Sequence, residues 1–171
     1  MRFSQAQGFT LIEILVVVVI VSVLTVMGVQ MVSSGSVERN LQQHGKILQS
    51  LMNYACDQAT FVNRPFGVKF SNNGYTFSQF FNQQWQMLDT DKVQYYQELT
   101  DGSVLQLQID GQSVVLTDEL PQNPQVMCDS SGQLSDFTLT ISDASLQHHY
   151  QLQRKEFWQI SSKWLDEKQT H

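Results

Sequence analysis

The sequence predicts an α+β fold in which one long N-terminal helix packs on antiparallel β-sheet. Three observations carry this expectation. No proline occurs between Phe9 and Pro65, so nothing forces a break in a helix there. Within that stretch Leu41, Leu48, Met52, Ala55 and Ala59 recur along one helical face, with Leu51 beside them. Beyond Pro65 the apolar period changes to two, in short segments punctuated by Asn-Gly, Asp-Gly and Ser-Gly pairs.

The helix opens with an apolar block, FTLIEILVVVVIVSVLTVMGV, at residues 9–29. As a helix it is about 32 Å long, enough to cross a hydrocarbon core of about 30 Å. Its many β-branched residues would suit a strand in water. In lipid a lone strand leaves its backbone unpaired, so a transmembrane helix is expected. Residues 30–63 follow as an amphipathic continuation. Gly28 and Gly35 weaken the junction, and Ser33-Ser34-Gly35-Ser36 either bends or stays helical. Gly45 allows close packing. Phe61-Val62-Asn63-Arg64-Pro65 ends the helix, since proline disfavours helical geometry in the residue before it.

A β-rich domain is expected over residues 64–164. Gly67-Val68-Lys69-Phe70 and Tyr75-Thr76-Phe77-Ser78-Gln79-Phe80 flank a turn at Asn73-Gly74. Val104 to Ile109 and Val114-Val115-Leu116 flank Asp110-Gly111, a second hairpin. Pro121 and Pro124 break the chain before Gln125-Val126-Met127-Cys128, and Ser130-Ser131-Gly132 turns it. Phe137 to Ile141 alternates as a further strand. Tyr150 to Arg154 and Phe157-Trp158-Gln159-Ile160 add the last pair. Residues 165–171 read as a frayed tail. Strand order stays open, because several pairings satisfy the same alternation.

The N-terminal block departs from an ordinary signal peptide. The eight residues before it, MRFSQAQG, are short and polar with one charge, Arg2. No small-x-small cleavage site closely follows the apolar run. Glu13 lies inside the run with no basic residue within a helical turn. A charge deep in a bilayer costs on the order of 2.5–3.5 kcal/mol, less near its edge. Either it snorkels to the interface, or it awaits a cation from another chain. A cut between Gly8 and Phe9 would create an α-amino group four residues before Glu13. One subunit's amine would then meet its neighbour's carboxylate in an apolar core and set the register.

Gly8-Phe9-Thr10-Leu11-Ile12-Glu13, after a short basic leader and before an apolar run, resembles the processing motif of type IV prepilins and type II secretion pseudopilins. The resemblance implies a pilin-like fold, a leader at residues 1–8, cleavage after Gly8 by a prepilin peptidase and N-methylation of Phe9. It also implies a subunit-assembly role for Glu13. Further along, Ala55-Cys56-Asp57-Gln58-Ala59, Asn63-Arg64-Pro65-Phe66-Gly67 and Gly74-Tyr75-Thr76-Phe77 are similar to GspH-type minor pseudopilins. Pro124-Gln125-Val126 followed by Ser130-Ser131-Gly132 matches them as well.

The implied role is a minor pseudopilin supporting export of folded proteins across the outer membrane. Its partners would be the peptidase, major and other minor pseudopilins, an inner-membrane secretion platform and the lipid bilayer. It would be a single-pass inner-membrane protein with its C-terminal domain in the periplasm. The alternative is a minor type IV pilin of the FimT/FimU group, acting in pilus assembly, adhesion or DNA uptake. A third reading is an anchored domain that never polymerises.

Other candidate sites carry bland readings. Cys56 and Cys128 either form a disulfide in an oxidising compartment or remain buried thiols. Phe61, Phe66, Phe70, Phe77, Phe80, Phe81, Trp85 and Trp158 read as core or interface filler. His148 and His149 point to opposite faces of a strand, poor geometry for one metal. Asp129, Asp136 and Asp143 lack the compact loop of a calcium site, so no metal and no cofactor is expected. Nucleophile elbow, Walker loop and His-Glu-x-x-His motifs are all absent from the sequence, so an enzyme is not expected. A formal charge of -6 and a mean hydropathy of -0.22 describe an acidic surface, against general nucleic-acid binding. Arg154, Lys155, Lys163 and Lys168 read as solvated surface.

Overall fold

The computed structural model describes residues 11–88, 96–99 and 102–165, without the side chains of 24–35. Helix α1 runs Leu11–Phe61, 51 residues, with no interruption at Gly28, Gly35 or the serines between them. Two compact units divide the chain, Met1–Val37 and Glu38–His171. In the first, the described residues 11–37 are helical. Side chains from Leu11 to Val23 stand open on every side of the helix. No helix among the described residues is long and apolar enough to cross a membrane. The expected span at residues 9–29 falls partly outside the described side chains.

In the second unit α1 continues to Phe61 and buries Leu41, Leu48, Met52, Ala55 and Ala59, the face that the sequence period marks. Two antiparallel sheets form the rest. The first comprises β1 (Phe66–Phe70), β2 (Gly74–Phe81), β3 (Gln84–Met87), β4 (Gln97–Glu98) and β7 (Val126–Cys128). Its order is β3-β2-β1-β7, with β4 also pairing β2. The second comprises β5 (Val104–Ile109), β6 (Gln112–Val114), β8 (Phe137–Ser142), β9 (His149–Glu156) and β10 (Gln159–Leu165), ordered β10-β9-β8-β5-β6. Phe70, Phe77, Phe137, Leu139, Ile141 and Leu152 fill the core. Strand alternation puts them there: Phe137, Leu139 and Ile141 are buried in turn along β8.

The expected hairpins form, with informative differences. Asp110 and Gly111 both have positive φ, 49° and 75°, joining Ile109 to its partner Gln112 as a tight hairpin turn requires. At Asn73-Gly74 the connection is longer: Phe70 pairs Tyr75, and Ser71 N–H donates to Gly74 O at 2.9 Å. Gly74 is small for another reason. A Cβ there would lie 2.3 Å from the Gln97 carbonyl oxygen, because β4 closes on it. Phe157 and Trp158, expected in a strand, instead form the β9–β10 turn, with Phe157 at φ 29°.

Gly45 shows the close approach that its size permits. A Cβ there would lie 2.4 Å from the Tyr150 ring, so the aromatic seats directly on helix backbone. Below that contact the helix is stitched to β10. Tyr150 OH donates to Ser162 Oγ at 2.9 Å, Ser162 Oγ to Gln49 Oε1 at 2.9 Å, and Gln49 Nε2 to the Ile160 carbonyl at 2.7 Å.

Candidate functional site

Of the residues that the sequence singles out for processing, Gly8 and Phe9 lie outside the described residues. Glu13 lies among the first described residues of α1. Leu11, Ile12, Ile14 and Leu15 around it are 52% to 86% exposed. An exposed apolar sleeve of this kind marks an interaction surface.

Cys56 and Cys128 are joined as a disulfide with Cα atoms 5.4 Å apart. Cys56 lies on the buried side of α1 near its end, and Cys128 ends β7 opposite Phe66. The bond ties the helix to the edge of the first sheet. β7 pairs β1 only from Phe66 to Val68. Past that point Gln125 replaces the missing strand: Phe70 N–H donates to Gln125 Oε1 at 2.9 Å, and Gln125 Nε2 donates to Phe70 O at 3.0 Å. Asn72 N–H then donates to Thr117 O at 2.8 Å. Lys69, buried in β1, donates to Gln122 O at 2.5 Å, with burial lowering its pKa. Burial pushes the Tyr75 phenol up to about 12.

The acids and histidines do not converge. Asp129 Oδ1 accepts from Ser131 Oγ at 2.6 Å and from Gln133 N–H at 3.0 Å, and the Ser131 hydroxyl leads the interactions that lower its pKa. Asp136 pairs with Arg154 at 3.4 Å, so that cation is engaged rather than simply solvated. Asp143 closes its own turn. Desolvation pushes its carboxyl up, but hydrogen bonds from the Ser145 hydroxyl and the His148, Ser145 and Gln147 amides bring it down to about 2. His148 Nε2 reaches Glu38 at 3.3 Å, while His149 Nδ1 meets Ser142 Oγ at 2.7 Å. Among the described residues no group of three or more His, Cys, Asp or Glu converges as a metal site.

Two of the expected filler aromatics stand out. Phe61 is 84% and Trp158 54% exposed, and both line a groove of about 470 Å³ beside the disulfide. Both occupy ends, of α1 and of the β9–β10 hairpin, where no element among the described residues covers them. Phe66, Phe70 and Phe77 are buried as expected.

Among the described residues, exposed apolar surfaces are what the geometry offers. Residues 46–155 match the family model described as type II transport protein GspH. Residues 3–29 match the prokaryotic N-terminal methylation motif. The type II secretion system protein H of Pseudomonas aeruginosa is 30% identical over 84% of this chain and 86% of its own length. That of Aeromonas hydrophila is 26% identical over 83% and 84%. In fold the chain is similar to the minor pseudopilin EpsH of the Vibrio cholerae type 2 secretion system, with TM-score 0.63 and 18% identity over 73% of this chain and 97% of that one. It is also similar to E. coli GspH, with TM-score 0.62 and 16% identity over 77% and 93%.

Proposed function

Because this chain belongs to the GspH family of type II transport proteins, we propose that it is a minor pseudopilin subunit of a type II secretion pseudopilus, supporting export of folded proteins across the outer membrane. The observation that carries the reading is the pairing of a GspH-type domain at residues 46–155 with a methylation motif at residues 3–29. Its part is structural, and the chain is a substrate for processing rather than an enzyme.

A prepilin peptidase cuts between Gly8 and Phe9, and Phe9 is then N-methylated. The apolar run at residues 9–29 anchors the chain in the inner membrane, with the domain beyond residue 63 in the periplasm. On assembly the runs bundle, and Glu13 accepts the Phe9 amine of a neighbouring subunit. The major pseudopilin, other minor pseudopilins and the inner-membrane platform are the partners. The secretion-type relatives favour this reading over a pilus subunit for adhesion or DNA uptake.

Deleting the gene and assaying extracellular enzymes tests the role; unchanged secretion refutes it. Mass spectrometry of the mature protein should find methylated Phe9 at the N-terminus. Glu13→Ala should abolish incorporation into filaments, whereas a merely anchored domain predicts no effect.

A further inference from the structure

The face of α1 opposite the core carries Arg39, Gln43, Lys46, Ile47 and Ser50 in the open. On a helix these positions form one continuous strip, and an open groove of about 580 Å³ runs along it. Its two cations lack helical counterions: positions 35, 36, 42, 43, 49 and 50 hold Gly, Ser, Gln, Gln, Gln and Ser. Among the described residues neither Arg39 nor Lys46 enters an ion pair, and the adjacent Glu38 turns to His148. A chain of net charge -6 thus holds two unpaired cations on one uncovered face.

Their spacing states what would pair with them. Arg39 and Lys46 are seven residues apart, about 10 Å along the axis, a separation that returns to the same side of a helix. Gln43 lies between them, and Ile47, 41% exposed, stands beside Lys46. A second helix laid along the strip meets both cations if it carries carboxylates seven residues apart, as in the charge pairs that flank the seam of two packed helices. Ile47 then meets an apolar side chain next to one of those acids. A second copy of α1 does not supply this pattern. Its acids are Glu13, Glu38 and Asp57, no two of them seven residues apart, and Glu38 already meets His148 at 3.3 Å.

We propose that the strip at residues 39–50 seats a helix of a different pseudopilin, one that carries two carboxylates seven residues apart and an apolar residue beside one of them. Charge pairing of this kind selects the partner and its register more than it adds affinity. The inference rests on the filament reading above and names the chemistry of one neighbour within it.

The test places p-benzoylphenylalanine at Gln43, between the two cations, in the full chain in cells that also express the neighbouring pseudopilins. After irradiation, mass spectrometry should find the adduct on a helical peptide of another pseudopilin, recognised by its own N-methylated N-terminus, with two carboxylates seven residues apart. Carbodiimide should couple Lys46 to one of the two. Arg39→Glu/Lys46→Glu, at exposed positions, should lower the adduct yield about tenfold. Arg39→Lys/Lys46→Arg should retain it, and exchanging the partner's two carboxylates for lysines should restore the yield of the reversed chain. An adduct on lipid, on a second copy of this chain or on a protein outside the pseudopilins overturns the interface. So does the lack of any adduct, a yield indifferent to charge reversal, or a reversed chain that the lysine partner does not rescue. If secretion depends on the gene and one of these results is found, the interface alone falls. If secretion proceeds without the gene, the filament reading falls and takes this contact with it.

Discussion

Removing the Cys56–Cys128 bond is the perturbation whose size the structure fixes most directly. The bond closes a loop with a sequence separation of 72, which contains β1 to β6 and most of β7. In the chain-entropy relation a loop of that size restricts the unfolded ensemble by about 4 kcal/mol at 25 °C. Native domains hold only about 5–15 kcal/mol in total, so roughly a quarter to four-fifths of the margin is at stake. Few other bonds hold this point, since β7 is only three residues long. Cys56→Ser/Cys128→Ser should therefore lower the denaturant midpoint of the full chain in detergent, read by tryptophan fluorescence. The unaltered protein under reductant should fall to the same midpoint. Non-reducing mass spectrometry after alkylation should find both sulfurs protected in the unaltered protein. A loss below about 1 kcal/mol, or an unaltered protein indifferent to reductant, would refute the argument that this loop closure holds the domain together.

Gly45→Ala should cost about 1–3 kcal/mol, measured as a drop in melting temperature, because its methyl would meet the Tyr150 ring at 2.4 Å. Gln125→Ala should cost about 1–3 kcal/mol and speed amide exchange at Phe70, whose N–H bonds to the Gln125 side chain; unchanged exchange there would refute the strand-substitute reading. Asp143 should make a pH-dependent contribution. Its folded pKa is depressed to about 2, so the stabilisation is present above the unfolded value, about 4, and is lost as pH falls from there toward 2. Amide exchange at Gln147 and His148 should accelerate across that window, and Asp143→Asn should flatten the response.

The parts of the fold legible in the sequence are those governed by local chemistry. The spacing of Leu41, Leu48, Met52, Ala55 and Ala59 specifies a buried helical face, and Asp110-Gly111 specifies a hairpin by its backbone preference. The strands β3 and β4 were not legible: Gln-Trp-Gln-Met is half polar, and Gln97–Glu98 is two residues long. Both form because β2 offers an edge, which is tertiary information. Phe157 and Trp158 look like strand residues by propensity, yet the chain reverses there and Leu134 N–H holds the Phe157 carbonyl at 3.0 Å. Pairing of the cysteines depends on a helix end meeting an edge strand, and no spacing rule conveys that. The N-terminal methylation motif within residues 3–29 was readable because a carboxylate in an apolar run needs a reason.

The seat of Tyr150 on the bare backbone at Gly45 fixes the azimuth of the helix in its domain. A screw motion by one residue would turn the helix through about 100° and drive a side chain into the ring. Which side chains reach solvent between residues 39 and 50 is thus decided by a residue with no side chain of its own. Sliding or rolling of the rod against its sheets is blocked at this notch, so any load that α1 takes up within the domain passes to β9 without changing the outward face.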